Sequence, residues 1–148
     1  MTGITLRPYA SADEEATIEL WRRTWQQSYP QIDFTARTAW WRERWRGELV
    51  PRATIVVADD GGIIVGFMTV EPATGYLDQI VVAPEYWGTD LGAALLAEAQ
   101  RISPAQIELR VNQDNARAIS FYRKHGFVLA GDDVSLSGRP LYRMTWRP

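Results

Sequence analysis

The chain has 148 residues, with seven Trp, no Cys, one His, fifteen Arg to a single Lys, and a formal net charge of −2. A chain of this length buries roughly two-thirds of the surface its unfolded form exposes, so one domain spanning 1–148 needs neither disulfide nor metal to hold a core. With no thiol and His125 alone, Cys/His metal sets and a cysteine nucleophile are excluded, and the near-neutral charge argues against a dedicated nucleic-acid binder.

Ile4, Leu6 and Pro8 alternate with Thr5 and Arg7 as a first strand. Ser11 followed by Glu14 has the spacing of a capping box, and Ile18, Trp21, Trp25 and Ser28 then recur at helical intervals until Tyr29-Pro30 ends the helix. A second helix is predicted from Thr35, as N-cap, to Gly47, with Thr38, Trp41 and Trp45 on one face. Thr54–Ala58 and Ile63–Val70 read as a hairpin about Asp59-Asp60-Gly61-Gly62, and Tyr76–Val82 as a further strand with Asp78 and Gln79 embedded.

A third helix is predicted from Thr89 or Asp90 to Arg101, a strand over Gln106–Val111, and a fourth helix over Asn115–His125 closed by Gly126. Phe127–Val134 and Leu141–Trp146 form a last hairpin. Three strands joined by tight turns are antiparallel, whereas the strand, helix and strand from Tyr76 to Val111 form a right-handed parallel crossover. The expected fold is therefore α/β: a mostly antiparallel sheet with one central, splayed parallel pair and helices on both faces. No apolar stretch approaches the ~20 residues of a membrane helix, and the N-terminus lacks the basic start and apolar run of a secretory signal, so the expectation is a cytoplasmic protein without membrane contact.

Two segments carry chemistry. Val82–Gly92 is a strand end, a glycine-bearing loop and a helix start, a junction whose free N–H groups and helix dipole favour phosphate; Gly88 and Gly92 could equally serve only as a turn and a close-packing position. The second segment runs from Val111 to Phe127. Its Asn115, Ala118, Phe121-Tyr122 and Gly126-Phe127 resemble the motif of the GCN5-related N-acetyltransferases, and they follow in order after Leu77–Leu96, which resembles the family's other signature. The second half of the chain carries this likeness directly; the first half matches only in its order of elements.

The resemblance implies an acetyl-CoA-dependent N-acetyltransferase without a metal. By that likeness the pantetheine arm lies as a surrogate strand beside Ile80, Val81 and Val82, and the pyrophosphate rests on the amides of Gly88, Thr89, Asp90, Leu91, Gly92 and Ala93. Asn115 bonds the pantetheine arm or caps the fourth helix, two compatible roles. Tyr122, a core aromatic on helical spacing alone, becomes by resemblance a cofactor-binding and catalytic residue: its phenol, with a pKa of about 10, can protonate a thiolate of about 8.5. Asp78 occupies a strand position where the family often places its general base, and it is either that base or a satisfied structural carboxylate.

The acceptor, a small-molecule or peptide amine, is expected on the side of the first two helices, with Trp25 and Tyr29 as candidate contacts. Arg37–Arg46 contains four Arg, one Glu and three Trp; it reads as a helix with buried Trp41 and Trp45 and solvated Arg42, Arg44 and Arg46, as an aromatic acceptor wall, or as a contact for nucleic acid or protein. Two positions depart from the family pattern. Trp87 stands where a basic residue or Gln is usual, and Asp90 where a Gly is usual, placing a carboxylate near a pyrophosphate at a cost on the order of 1–4 kcal/mol if within ~4 Å. These departures motivate an alternative, a CoA-sensing or nucleic-acid-binding module without turnover. A monomer or a homodimer is expected.

Overall fold

The computed structural model describes residues 3–148, so the first two residues of the N-terminal stretch lie outside it. β1 (Ile4–Pro8) is followed by a 3-10 turn at Ser11–Asp13 and by α1 (Glu14–Ser28) and α2 (Phe34–Arg44). A π turn, Trp45–Leu49, leads into the short α3 (Val50–Arg52); β2 (Thr54–Asp60), β3 (Ile63–Glu71) and β4 (Tyr76–Val82) come next. After a 3-10 turn at Pro84–Tyr86 the chain continues through α4 (Leu91–Ile102), β5 (Ile107–Asn112), α5 (Ala116–Lys124), β6 (Val128–Val134) and β7 (Pro140–Trp146). One seven-stranded sheet runs in the order β1-β2-β3-β4-β5-β7-β6. Among the described residues its sole parallel neighbours are β4 and β5, and they pair only at Tyr76↔Glu108.

The hairpin between β2 and β3 turns on Gly61 and Gly62, with φ of 62° and 99°, the left-handed pair that a two-residue turn requires. The two aspartates before it belong to β2, where Asp59 pairs with Arg7 across the sheet, so the strand outlasts the expected boundary at Ala58. On β3, neighbouring residues meet opposite layers. A Cβ on Gly66 would lie 3.1 Å from Leu95 and 3.4 Å from Leu91 of α4, whereas the Phe67 ring sits 5.5 Å from that of Trp45. Helices therefore cover both faces, as the alternation of strand side chains requires.

Two helix starts differ from the expected ones. Ser11 does not form a capping box with Glu14. Instead the Asp13 carboxylate accepts the Ala10 N–H at 2.9 Å while gripping Arg7 through two bonds of 2.8 Å, and Glu14 is drawn to Arg46 and Arg42. The N-cap of α2 is Asp33, which accepts the Ala36 N–H at 3.1 Å, rather than Thr35. Nor does that helical segment end at Gly47. The wider π turn keeps Trp45 and Leu49, four residues apart, on one buried line, and the helical path continues to Arg52.

Trp21 and Trp41 stack at 4.6 Å between ring centroids, and Trp45, fully buried, packs edge-on against Tyr9 and Phe67. Four of the tryptophans thus divide between core (Trp21, Trp41, Trp45) and surface (Trp40), which fixes how α1 and α2 sit on the sheet. The expected solvation holds for Arg46, 63% exposed in the π turn and paired with Glu14, but Arg42 is largely covered in its pair with Glu15, and Arg44 reaches into the cleft described below. Among the described residues no helix is long and apolar enough to cross a membrane. Trp45→Ala should lower the unfolding free energy by about 3–5 kcal/mol, the usual cost of emptying a large aromatic site, as read from urea denaturation.

Candidate active site

β4 carries a bulge. Thr69 pairs with Gln79 but Val70 pairs with Leu77, so Asp78 is the extra residue, and its side chain is re-aimed toward α2. There both of its oxygens accept from Arg44, at 2.8 and 2.5 Å, and Gln79 Nε2 approaches at 3.3 Å. The Arg44 side chain is 26% exposed and that of Asp78 10%. Arg44 also meets the more exposed Glu48 at 3.2 Å.

Beyond the bulge the strand edge is open. Ala83 donates to Val65 of β3 at 2.9 Å, and Val81 pairs with Phe67, so by antiparallel alternation the backbone groups of Ile80 and Val82 face away from β3 and into the gap beside β5. One of these groups is taken: the Trp87 indole N–H donates to the Val82 carbonyl at 2.8 Å. The loop that follows offers further donors. The N–H groups of Gly88, Asp90, Gly92 and Ala93 have no backbone or side-chain partner among the described residues, while that of Thr89 reaches Tyr86 and that of Leu91 reaches Thr89 Oγ1.

Gly88 sits at φ 82°, a left-handed turn that favours glycine. Asp90, by contrast, has φ −80° and ψ 1°, an ordinary conformation for any residue, so the loss of the family's usual glycine costs no backbone strain. Its side chain is exposed and makes no bond among the described residues. At Gly92 the absent side chain matters. A Cβ there would lie 3.3 Å from the ring of Phe121, so the close approach of α4 and α5 depends on this glycine.

A cleft of about 650 Å³ runs along the splay. The structure brings together on it the sequence-derived residues Asp78, Ile80, Val81, Val82, Gly88 and Thr89, together with Asp90, Gly92, Ala93, Asn115, Tyr122 and Trp25. Leu91 is not among them; its side chain is fully buried in the core. Tyr29 lies aside as well, in a neighbouring pocket of about 340 Å³. Its hydroxyl donates to Asp114 at 2.8 Å and accepts from Asn112 at 3.1 Å, and Arg139 lies over its ring, so this tyrosine ties the end of α1 to β5 and to the last hairpin.

Asn115 caps α5, its side-chain oxygen accepting the Ala118 N–H at 3.3 Å. One turn further Tyr122 is 8% exposed, wedged between Phe121 and Phe127, and its hydroxyl makes no hydrogen bond among the described residues. Burial raises its pKa well above that of an ordinary phenol, with Arg117 pulling the other way. The group is therefore a neutral O–H donor with no competing acceptor. His125 packs its ring against Phe121 at the other end of the helix.

Several lining residues were not singled out from the sequence. Arg44 reads from the sequence as a solvated charge, and Tyr76, Arg110 and Arg117 carry no role there. Arg117 stacks 3.8 Å over the Trp87 ring, which explains how the unusual tryptophan is held. Burial lowers the pKa of this guanidinium. The one available signal for the Arg44–Asp78 pair was a carboxylate inside an apolar strand, which requires a partner when buried.

An acetyltransferase family model, described as the Acetyltransferase (GNAT) family, matches residues 14–127. The chain belongs to the GNAT family. It is 29% identical over 140 residues to the peptidyl-lysine N-acetyltransferase YjaB of Salmonella typhimurium, covering 93% of this chain and 92% of that protein. It is 26% identical over 150 residues to the spermidine N(1)-acetyltransferase of Thermoplasma acidophilum, covering 90% of this chain and 93% of that one. The crystal structure of the PaiA N-acetyltransferase from Thermoplasma acidophilum in complex with coenzyme A superposes with a TM-score of 0.79 at 22% identity, over 98% of this chain and 99% of that one. This GNAT chain and that structure share a fold.

For a GNAT site the ion pair inside the cleft is a structural element as well as a chemical one. Arg44→Ala would leave the Asp78 carboxylate, 10% exposed, without its fork. The expected loss is about 1–3 kcal/mol of stability at pH 7, below the figure for a wholly buried pair because Arg44 is partly solvated, and urea denaturation measures it.

Proposed function

We propose that this chain transfers acetyl from acetyl-CoA to a primary amine by direct attack in a ternary complex. The observation that carries the reading is the open β4 edge at Ile80 and Val82, lying beside the unpaired N–H groups from Gly88 to Ala93 and the unengaged hydroxyl of Tyr122. The residues present fit the group: a strand edge suits the amides of a pantetheine arm, and a helix N-terminus with free donors suits a pyrophosphate. The Val82 carbonyl is held by Trp87, so the Val82 N–H and the backbone of Ile80 are the groups left for the arm.

When bound, acetyl-CoA supplies an activated acyl carbon and a thiolate leaving group. Tyr122 holds its proton at Oη for the departing sulfur, and burial keeps that proton in place at neutral pH. Asp78 is the carboxylate on the acceptor side and takes the proton that the attacking ammonium must lose, directly or through water. Arg44 fixes it in place through both oxygens. Asn115 sets the start of α5, and with it the position of Tyr122. Alignment of amine and acyl carbon supplies much of the acceleration, so no acyl-enzyme is required and the absence of cysteine is no obstacle. Trp25, on the cleft wall from α1, contacts the acceptor, and Tyr29 shapes that wall from behind. We place the protein in the cytoplasm, where acetyl-CoA is made.

Thiol release from acetyl-CoA against a panel of amines tests the reading; no release with any amine, together with no heat of acetyl-CoA binding, overturns it. Tyr122→Phe should lower kcat by about 100-fold, typical of losing a general acid, while the acetyl-CoA Kd changes by less than about threefold. An unchanged kcat removes Tyr122 from its role. Asp78→Asn should lower kcat/KM by about 100-fold at a fixed pH, the usual effect of losing a general base; an unchanged kcat/KM would reduce Asp78 to a strut for Arg44.

A further inference from the structure

The two sides of the sheet divide the cleft. Val82 turns toward Gly92 and Phe121, the side of the phosphate loop and α5. Asn112 reaches Tyr29 of α1, so Arg110, two residues earlier on β5, presents its side chain to the α1 face, the side expected to take the acceptor. On that side the charges are unbalanced. Asp78 is the one carboxylate lining it among the described residues, and both its oxygens are held by Arg44. Arg110 is different: its Nε donates to Asp133 at 2.6 Å, and its guanidinium lies 5.4 Å from the centroid of the Tyr76 ring. Its terminal nitrogens meet no carboxylate, Asp133 being its only ion pair among the described residues.

Arg110 lines the cleft, tied to Asp133 through Nε and lying beside the Tyr76 ring, with no carboxylate on the two-pronged end of its guanidinium among the described residues. That end matches a planar oxyanion. Among the described residues lining this side, no carboxylate is left unengaged for a second ammonium. We infer that the acceptor is an amine that also carries an oxyanion, a carboxylate or a phosphate, which Arg110 grips while the amine approaches the acyl carbon beside Asp78. Polyamines are disfavoured, because Asp78 is already neutralised by Arg44 and a distal ammonium would face Arg110. This inference rests on the acetyl-transfer reading and specifies its substrate class.

A matched series tests it: 5-aminopentanoate, 3-aminopropyl phosphate, pentylamine and 1,5-diaminopentane, compared by kcat/KM from thiol release. The oxyanion amines should exceed pentylamine by about tenfold or more, the worth of one charge-assisted hydrogen-bonded contact, and 1,5-diaminopentane should be the poorest. Whichever oxyanion amine leads identifies the group as carboxylate or phosphate. Arg110→Gln should bring the ratio of oxyanion amine to pentylamine near one, and Arg110→Lys should restore part of it. Equal use of all four amines, or preference for the diamine, overturns the inference while leaving acetyl transfer intact. If no amine releases thiol, the transfer reading fails by itself, and calorimetry then reads the subsite: 5-aminopentanoate binding that Arg110→Gln abolishes sustains it, and binding that the substitution leaves unaltered overturns it.

Discussion

The rest of the site depends on one failure of pairing. β4 and β5 are parallel neighbours in the middle of the sheet, yet they share a single residue pair, at the start of both strands, and then part. Buried backbone groups ordinarily find partners, and here the edge of β4 retains groups that a ligand of strand-like shape can satisfy. The splay also opens the space in which Tyr122, Asp78 and the loop from Gly88 to Ala93 all face one cleft. A glycine at 92 lets α4 and α5 approach one another beside that opening, because a Cβ there would lie 3.3 Å from the Phe121 ring.

The second organising feature is how charge is distributed around the cleft. Fifteen arginines against one lysine give this chain many planar, hydrogen-bonding cations, and the structure uses most of the α2 set internally. The Arg42 and Arg46 pairs with Glu15 and Glu14 hold α2 to α1. Arg44 holds both oxygens of Asp78, the carboxylate beside the β4 bulge. A basic segment that looks, in sequence, like a surface for nucleic acid thus has three of its four arginines in ion pairs with carboxylates of the same chain. On β5, Arg110 lines the same cleft with its Nε held by Asp133.

Much of the architecture was legible because it rests on local rules. Gly61-Gly62 announces a two-residue hairpin, Pro84 stops β4, and Asn115 starts α5 as a cap does, since turn and cap chemistry depends on residues a few positions apart. The errors share one cause. Ser11 and Glu14 have the spacing of a capping box, but Arg7 and Arg46, distant in sequence, draw Asp13 and Glu14 into ion pairs. Gly47 looks like a helix end, but the core requires Leu49, and a π turn carries the chain past it. Asp78 is visible as a carboxylate in an apolar strand; that a bulge turns it toward Arg44, 34 residues away, is not.

The sequence by itself determined the order of elements, the crossover that makes the sheet mixed, and the spacing from Asn115 to Phe127 by which the family can be read, because each is written in neighbouring residues. Twelve of the fourteen residues it singled out for the site lie on the cleft, though they are fewer than half of its lining. Tertiary structure alone decided which of the unusual residues matter and how. Trp87, an oddity in the loop, became an indole donor to the Val82 carbonyl beneath Arg117, three of the clustered tryptophans became core, and Tyr29 became a strut joining three elements. These outcomes depend on contacts across dozens of residues, where burial and charge pairing override the local preferences that a sequence displays.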